Sequence, residues 1–175
     1  MFSYEIKIPK DRVAVLIGKK GFVKRKIQKI TNTKLIIDSK EGDVTIEGED
    51  SFSAFSTQMI IKAIGRGFNP DIALMLVHEN YNLEIIDITE FTGKSEKKIK
   101  RIKARIIGTK GKAWRTIERL TGCHLSVYGR TIGIIGHVED VTLARQAIEE
   151  LLKGAPHSNA YRFIQEKRKL MRQGL

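Results

Sequence analysis

Two stretches decide how this chain of 175 residues is read. The first is Leu16-Ile-Gly-Lys-Lys-Gly-Phe-Val-Lys-Arg-Lys-Ile-Gln-Lys-Ile-Thr31, and the second is Ile106-Ile-Gly-Thr-Lys-Gly-Lys-Ala-Trp-Arg-Thr-Ile-Glu-Arg-Leu-Thr121. At an offset of 90, Gly18, Lys20, Gly21, Arg25, Ile27 and Thr31 recur as Gly108, Lys110, Gly111, Arg115, Ile117 and Thr121. Leu35 and Leu125 keep the same offset, and the match resumes at an offset of 88 with Gly48 and Gly136. A slip of two residues between strands is what a loop absorbs, so the chain reads as an internal duplication.

Each copy carries the same order of elements. Tyr4–Ile8 and Leu83–Ile88 alternate like strands. A helix follows, with Val13, Leu16 and Ile17 on one face in the first copy and Ile99, Ile102 and Ile106 in the second. A Gly-x-x-Gly turn then opens a second helix, whose inward stripe is expected to be Val23, Ile27 and Ile30, or Ala113, Ile117 and Leu120. Two strands come next, 34–38 with 44–47 and 124–128 with 131–135. A last helix is expected to start at an acidic cap, Asp50 or Asp140. It should bury Phe52, Phe55, Met59, Ile60 and Ile64 in one copy, and Val141, Ala144, Ile148, Leu151 and Leu152 in the other. The fold class expected is therefore α+β, β-α-α-β-β-α twice. The domains run over 1–66 and 83–154, with a short connector helix in 67–82 and a basic C-terminal helix in 155–175. Asn69-Pro70 should cap the connector helix over Asp71–Glu79, packed between the domains, and Phe163, Ile164, Leu170 and Met171 should share one side of the last helix.

Charge points to a partner class. There are 32 Lys and Arg against 20 Asp and Glu, a net charge of +12. The excess is local: from Lys7 to Lys34 ten basic residues face only Asp11, and from Lys94 to Arg119 eleven face Glu96 and Glu118. A polyanion is the partner such surfaces attract. At 41% hydrophobic residues the chain can bury a core, which excludes disorder as its main state. Its longest apolar runs, such as Ile72–Val77, are far too short to span a bilayer. The stretch Met1-Phe-Ser-Tyr-Glu-Ile is no secretory signal, and one cysteine, Cys123, cannot build a disulfide framework. A cytoplasmic location is expected.

The Gly-x-x-Gly turns carry the chemistry. A helix N-terminus presents unpaired amides and a partial positive charge, which favour a phosphate that can come close. Glycine permits both the turn and the approach. Lys19-Lys20 and Thr109-Lys110 add side-chain donors. Gly133-Ile-Ile-Gly136 matches the same spacing but lies in an apolar strand with no basic neighbour, and is read as structural. His78, His124, His137 and His157 are scattered, no Cys or His cluster has metal spacing, and no paired carboxylates flank a glycine loop. No cofactor, metal or catalytic residue is expected. Trp114 falls off the buried stripe and reads either as packing against the first strand or connector, or as a stacking residue; Cys123 reads as a small packed residue.

Ile17-Gly-Lys-Lys-Gly21 and Ile107-Gly-Thr-Lys-Gly111, set at helix junctions in this six-element order, resemble the KH family, type I. That resemblance implies a loop clamping the backbone of about four nucleotides of single-stranded RNA. It implies an apolar groove lined by Val13, Ile17, Leu35 and Ile37, or by Ile106, Ile107, Leu125 and Val127. Carried residue by residue, the RNA-binding set is Ile17, Gly18, Lys19, Lys20, Gly21, Lys24 and Arg25 in the first copy. In the second it is Ile107, Gly108, Thr109, Lys110, Gly111, Lys112 and Arg115. The tandem pair, uncharged connector and basic tail are similar to archaeal relatives of the small-subunit rRNA processing factor partner of Nob-one. This implies binding to pre-rRNA near the 3′ end of the small-subunit RNA during ribosome assembly, beside an endonuclease or a methylase. A protein-docking scaffold and an exosome-like RNA-decay subunit are the alternatives.

Overall fold

The computed structural model describes residues 1–174. The chain divides into two compact units, Met1–Tyr81 and Asn82–Leu175, so the connector residues go with the first unit and the tail with the second. Each unit is a three-stranded antiparallel sheet with helices on one face.

In the first unit the elements are β1 (Phe2–Lys7), α1 (Lys10–Ile17), α2 (Phe22–Thr31), β2 (Thr33–Asp38), β3 (Asp43–Gly48) and α3 (Ser51–Gly65). The sheet order is β1-β3-β2, with Tyr4 and Leu35 both opposite Ile46. Alternation sends Leu35, Val44 and Ile46 into the core with Val13, Leu16 and Ile27. Asp50 caps α3, its carboxylate accepting from the Ser53 amide at 2.8 Å. Two bonds from one side chain close the other end: Arg12 Nε donates to the Ile64 carbonyl at 2.8 Å and Nη2 to that of Phe68 at 3.0 Å. The Ile64 carbonyl also accepts from the Gly67 amide at 3.1 Å, so Arg12 joins the closing turn of the helix to the residue that leads away from it.

Three expectations for this unit fail. Phe52 and Phe55 are 51% and 52% exposed, and Ile30 is also exposed. The reason is the closeness of the helix to the sheet. A Cβ on Gly48 would lie 3.4 Å from Ala54 Cβ, and one on Gly65 only 2.8 Å from Ile8 Cγ2. Room is short beside these two glycines, so α3 buries the small residues Ala54, Ser56, Thr57, Ala63 and Gly65 together with Ile60, Ile61 and Ile64, and turns its phenylalanines outward. On α2 the inward position one turn after Ile27 is taken by Thr31, whose hydroxyl donates to the Ile27 carbonyl at 2.7 Å. The connector is one turn of helix, α4 (Pro70–Ala73), capped by Asn69, running into a 3-10 turn over Leu74–Val77. It packs on α3 and buries Ala73, Leu74 and Leu76.

The second unit has β4 (Tyr81–Asp87), α5 (Thr89–Thr92), α6 (Glu96–Ile107), α7 (Lys112–Thr121), β5 (His124–Tyr128), β6 (Thr131–His137), α8 (Val138–Leu152) and α9 (His157–Arg172), with sheet order β4-β6-β5. The single-turn α5 was not expected. Asp87 starts it, accepting from the Thr89 hydroxyl at 2.6 Å and the Thr89 amide at 2.9 Å, and these bonds hold its carboxyl below the ordinary range. The five apolar residues expected on α8 are all buried. At roughly 1.5–3 kcal/mol for each fully buried large side chain, this face is a main source of the unit's stability. Asp140, however, is no cap: α8 begins at Val138, and the Asp140 carboxylate instead accepts from Arg168 Nη1 of α9 at 3.2 Å.

The tail helix docks on α7 and α8. Ala160 and Ile164 are buried, Phe163 packs partly, and Leu170 and Met171 lie on the exposed side, contrary to the single apolar face expected. Arg168 Nη1 also donates to the Thr121 carbonyl at 2.6 Å, tying α9 to the end of α7. Trp114 is half-buried against the core of its own unit. Cys123 is buried beside Gly136, where a Cβ would meet its Sγ at 2.8 Å. That contact accounts for the second glycine of Gly133-Ile-Ile-Gly136, which lies in β6 as expected.

Candidate nucleic-acid interface

The two turns between paired helices have the same backbone. Gly18 sits at φ 74°, ψ 175° and Gly108 at φ 76°, ψ 175°. Lys20 and Lys110 sit at φ 54°, ψ 28° and φ 55°, ψ 28°. Gly21 and Gly111 sit at φ 75°, ψ 15° and φ 73°, ψ 16°. The combination at Gly18 and Gly108 is open to glycine alone. Space forbids a side chain as well, since a Cβ would lie 2.8 Å from the Val23 amide nitrogen, or 2.7 Å from Ala113 Cβ.

Within each turn the hydrogen bonds are accounted for at the glycines. The Gly18 amide donates to Ala14 and the Gly21 amide to Gly18, at 2.9 and 3.1 Å, and the Phe22 amide reaches back to Lys19. The Lys19 and Lys20 amides are left without a partner inside the turn, at the positive end of α2. The second turn repeats the arrangement, with Gly108 bonded to Ala104 and Gly111 to Gly108. Lys19, Lys20, Thr109 and Lys110 are exposed, and Lys112 opens α7 with its side chain in solvent. Each turn therefore offers two free amides, a helix dipole and one or two cations to a single anionic group.

Arg25 has a part that its charge alone did not suggest. Its Nη1 donates to the Lys20 carbonyl at 2.6 Å, lying over Gly21, where a Cβ would come within 2.9 Å of that nitrogen. Arg115 lies over Gly111 in the same way, 3.1 Å from where a Cβ would be. Lys24 is half-buried beside this arginine, and its counterpart in the second unit is Trp114.

The groove expected beside each turn is built in two depths. Val13, Leu35, Ile106 and Leu125 are buried in the cores, whereas Ile17, Ile37, Ile107 and Val127 are only half-buried. The latter four form the accessible apolar floor. Its far wall is an edge strand, β2 or β5. One edge amide is held by the helix opposite: the Leu35 amide donates to Gln28 Oε1 at 2.8 Å, and the Leu125 amide to Glu118 Oε2 at 3.0 Å. Alternation turns the backbones of Ile37 and Val127 outward on the same edge, where they present a donor and an acceptor to whatever lies in the groove. The periodicity of the sequence marks these strands but not which one lies at the edge.

Phe22, the first residue of α2, was also missed. It is 60% exposed directly after Gly21. Among the described residues no group of three His, Cys, Asp or Glu could hold a metal ion, and no helix is long and apolar enough to cross a membrane.

Comparison with known proteins follows the same division of the chain. Residues 82–169 match the model of the eukaryotic type KH-domain (KH-domain type I), and residues 3–62 match the model of the KH domain. A KH domain-containing protein of Methanocaldococcus jannaschii is 50% identical over 167 residues, covering 93% of this chain and 73% of that protein. RNA-binding protein PNO1 of Oryzias latipes is 31% identical over 116 residues, 66% of this chain and 48% of its own length. Among solved structures, Dim2p from Pyrococcus horikoshii OT3 superposes with a TM-score of 0.88 at 42% identity over 95% of this chain and 99% of that one. A complex of a/eIF2alpha, aDim2p and rRNA from the same organism holds a chain that superposes with a TM-score of 0.89, also at 42% identity, over 96% of this chain and 94% of that one.

Proposed function

The chain belongs to the KH-domain family, in the group of archaeal Dim2p and PNO1 relatives, and on that premise we propose that it binds single-stranded RNA through its two Gly-x-x-Gly turns during small-subunit rRNA processing. The observation that carries this reading is the identity of the two turns. Two segments with different side chains adopt the same strained backbone, and both leave two amides free at a helix N-terminus. Strain of this kind persists only where the surrounding structure imposes it.

In this reading the phosphate lies against the amides of Lys19 and Lys20, or of Thr109 and Lys110. Ile17 and Ile107 seat the neighbouring base, while Lys19, Lys20, Lys24, Lys110 and Lys112 neutralise the strand. Arg25 and Arg115 hold the turns. The modules doing this are residues 1–66 and 83–154. The ligand is rRNA, a class supported by the rRNA in the aDim2p complex, and within it the segment near the 3′ end of the small-subunit RNA. The role is that of an assembly factor without catalysis, acting in the cytoplasm alongside the endonuclease or methylase that matures the RNA end. Crosslinking followed by sequencing of the bound RNA tests this: reads should concentrate at small-subunit rRNA 3′ ends, and a predominance of tRNA or mRNA would overturn the rRNA assignment.

A protein-docking role has one observation in its favour, the outward-facing pair Phe52 and Phe55 on α3. The connector gives it no support, because Leu74 and Leu76 are already covered by α3.

A further inference from the structure

We propose that Phe22 is a base-stacking platform belonging to the first Gly-x-x-Gly turn, so that the two turns differ in how they hold a strand: the first by backbone and base, the second by backbone and charge. The proposal rests on the RNA-binding reading above and adds a nucleobase subsite to it.

The two units supply the comparison. Phe22 and Lys112 occupy the same place, the first residue of the helix that follows the second glycine, on backbones that agree within a few degrees. The fold makes no demand for an aromatic there, because lysine serves in the second unit. Nor does the core claim it, since 60% of Phe22 faces solvent. A scattered surface phenylalanine alone needs no explanation. This one lies between Lys20 and Arg25, at the head of a helix whose next exposed cations are Arg25 and Lys29.

A hydrophobic ring set among cations beside a phosphate cradle is the pairing that single-strand binders use. The cations fix the backbone, and the ring takes the face of any base, because every base has a π-face. With a phosphate on the Lys19 and Lys20 amides, the ring two residues beyond Lys20 is placed for the base of a flanking nucleotide, outside the groove floored by Ile17 and Ile37.

The test uses the full chain with the second turn disabled by Thr109→Asp and Lys110→Asp, so that the first turn alone is read, and uridine oligonucleotides as probes. Phe22→Ala should weaken binding about 5- to 100-fold while leaving the salt dependence of the affinity unchanged, because stacking neutralises no phosphate. Phe22→Trp should retain the affinity, and Phe22→Leu, which keeps apolar bulk without a π-face, should lose it. An oligonucleotide abasic at every position should bind wild type and Phe22→Ala alike. Unchanged affinity on Phe22→Ala, in a chain where Lys19→Asp with Lys20→Asp abolishes binding, would overturn the stacking role and leave the turn's RNA role standing. Unchanged affinity in the Lys19→Asp, Lys20→Asp chain would remove the first turn as an RNA site, and the stacking role with it.

Discussion

The guanidinium of Arg25 donates to the carbonyl of Lys20 at 2.6 Å, five residues back across the glycine turn. Lys20 is held at φ 54°, a conformation that costs a non-glycine residue about 1–2 kcal/mol. The arginine therefore secures the one residue in the turn that would gain by leaving it, and Arg115 lies over Gly111 in the position to do the same.

Arg25→Ala should release this restraint. The Gly21 and Phe22 amides, bonded within the turn to the Gly18 and Lys19 carbonyls, should exchange with solvent hydrogen faster than in wild type, with the rest of the first unit unaffected. The affinity of the first turn for single-stranded RNA should fall by more than the loss of one phosphate contact accounts for, which a salt titration separates. Unchanged exchange at Gly21 and Phe22 would show that the turn holds itself.

Gly108→Ala should be destabilising out of proportion to one methyl group. The backbone region at φ 76°, ψ 175° costs about 1–3 kcal/mol for a residue with a side chain, and the Cβ also meets Ala113 at 2.7 Å. Chemical denaturation should show the midpoint falling for the second unit. Gly154→Ala is the control: its φ of 104° is also positive but nothing lies within 4 Å, so it carries the backbone cost without the clash.

Arg12→Ala should cost the first unit about 2–4 kcal/mol, because two partly buried, charge-assisted bonds to the Ile64 and Phe68 carbonyls disappear together. Arg105 performs the corresponding task for the second unit, donating to the Leu151 and Ala155 carbonyls. Thermal melting of each variant should identify which unit has been loosened.

The Cys123 thiol is pushed up to about 12 by burial, from an ordinary value of 9.0. Because the folded value lies above the unfolded one, this group's contribution to stability is complete below pH 9 and is lost as the pH rises through about 12. The native chain should resist alkylation by iodoacetamide at pH 9 while the urea-unfolded chain reacts. Equal rates in the two states would contradict the packing of this residue against Gly136.

Much of the fold was legible because two copies constrain one another. Gly18–Gly21 alone is a weak signal; Gly108–Gly111 in the same order of elements, with Gly133–Gly136 as a counter-example in a strand, makes it specific. What failed had local causes. Helical spacing puts Phe52 and Phe55 in one buried set with Ile60 and Ile64, but α3 lies close against Gly48 and Ile8 and buries Ala54, Ser56 and Ala63 beside its isoleucines instead. The repeat predicts Asp140 as a cap in the place of Asp50, but α8 starts earlier and an arginine from a later helix claims the carboxylate. Arg25 and Phe22 read as one more charge and one more apolar residue. Their roles depend on where a guanidinium and a ring lie relative to a turn, which spacing does not encode.

The central claim, that these turns clamp an RNA backbone, is tested most directly by fluorescence anisotropy of a single-stranded small-subunit rRNA 3′-end oligonucleotide titrated with wild type and with Thr109→Asp, Lys110→Asp. Placing two carboxylates where the phosphate is expected should weaken binding by roughly 2–4 kcal/mol, with melting unchanged because both side chains are exposed. An affinity equal to that of wild type would contradict the claim for the second turn, and the same result with Lys19→Asp, Lys20→Asp would contradict it for the first.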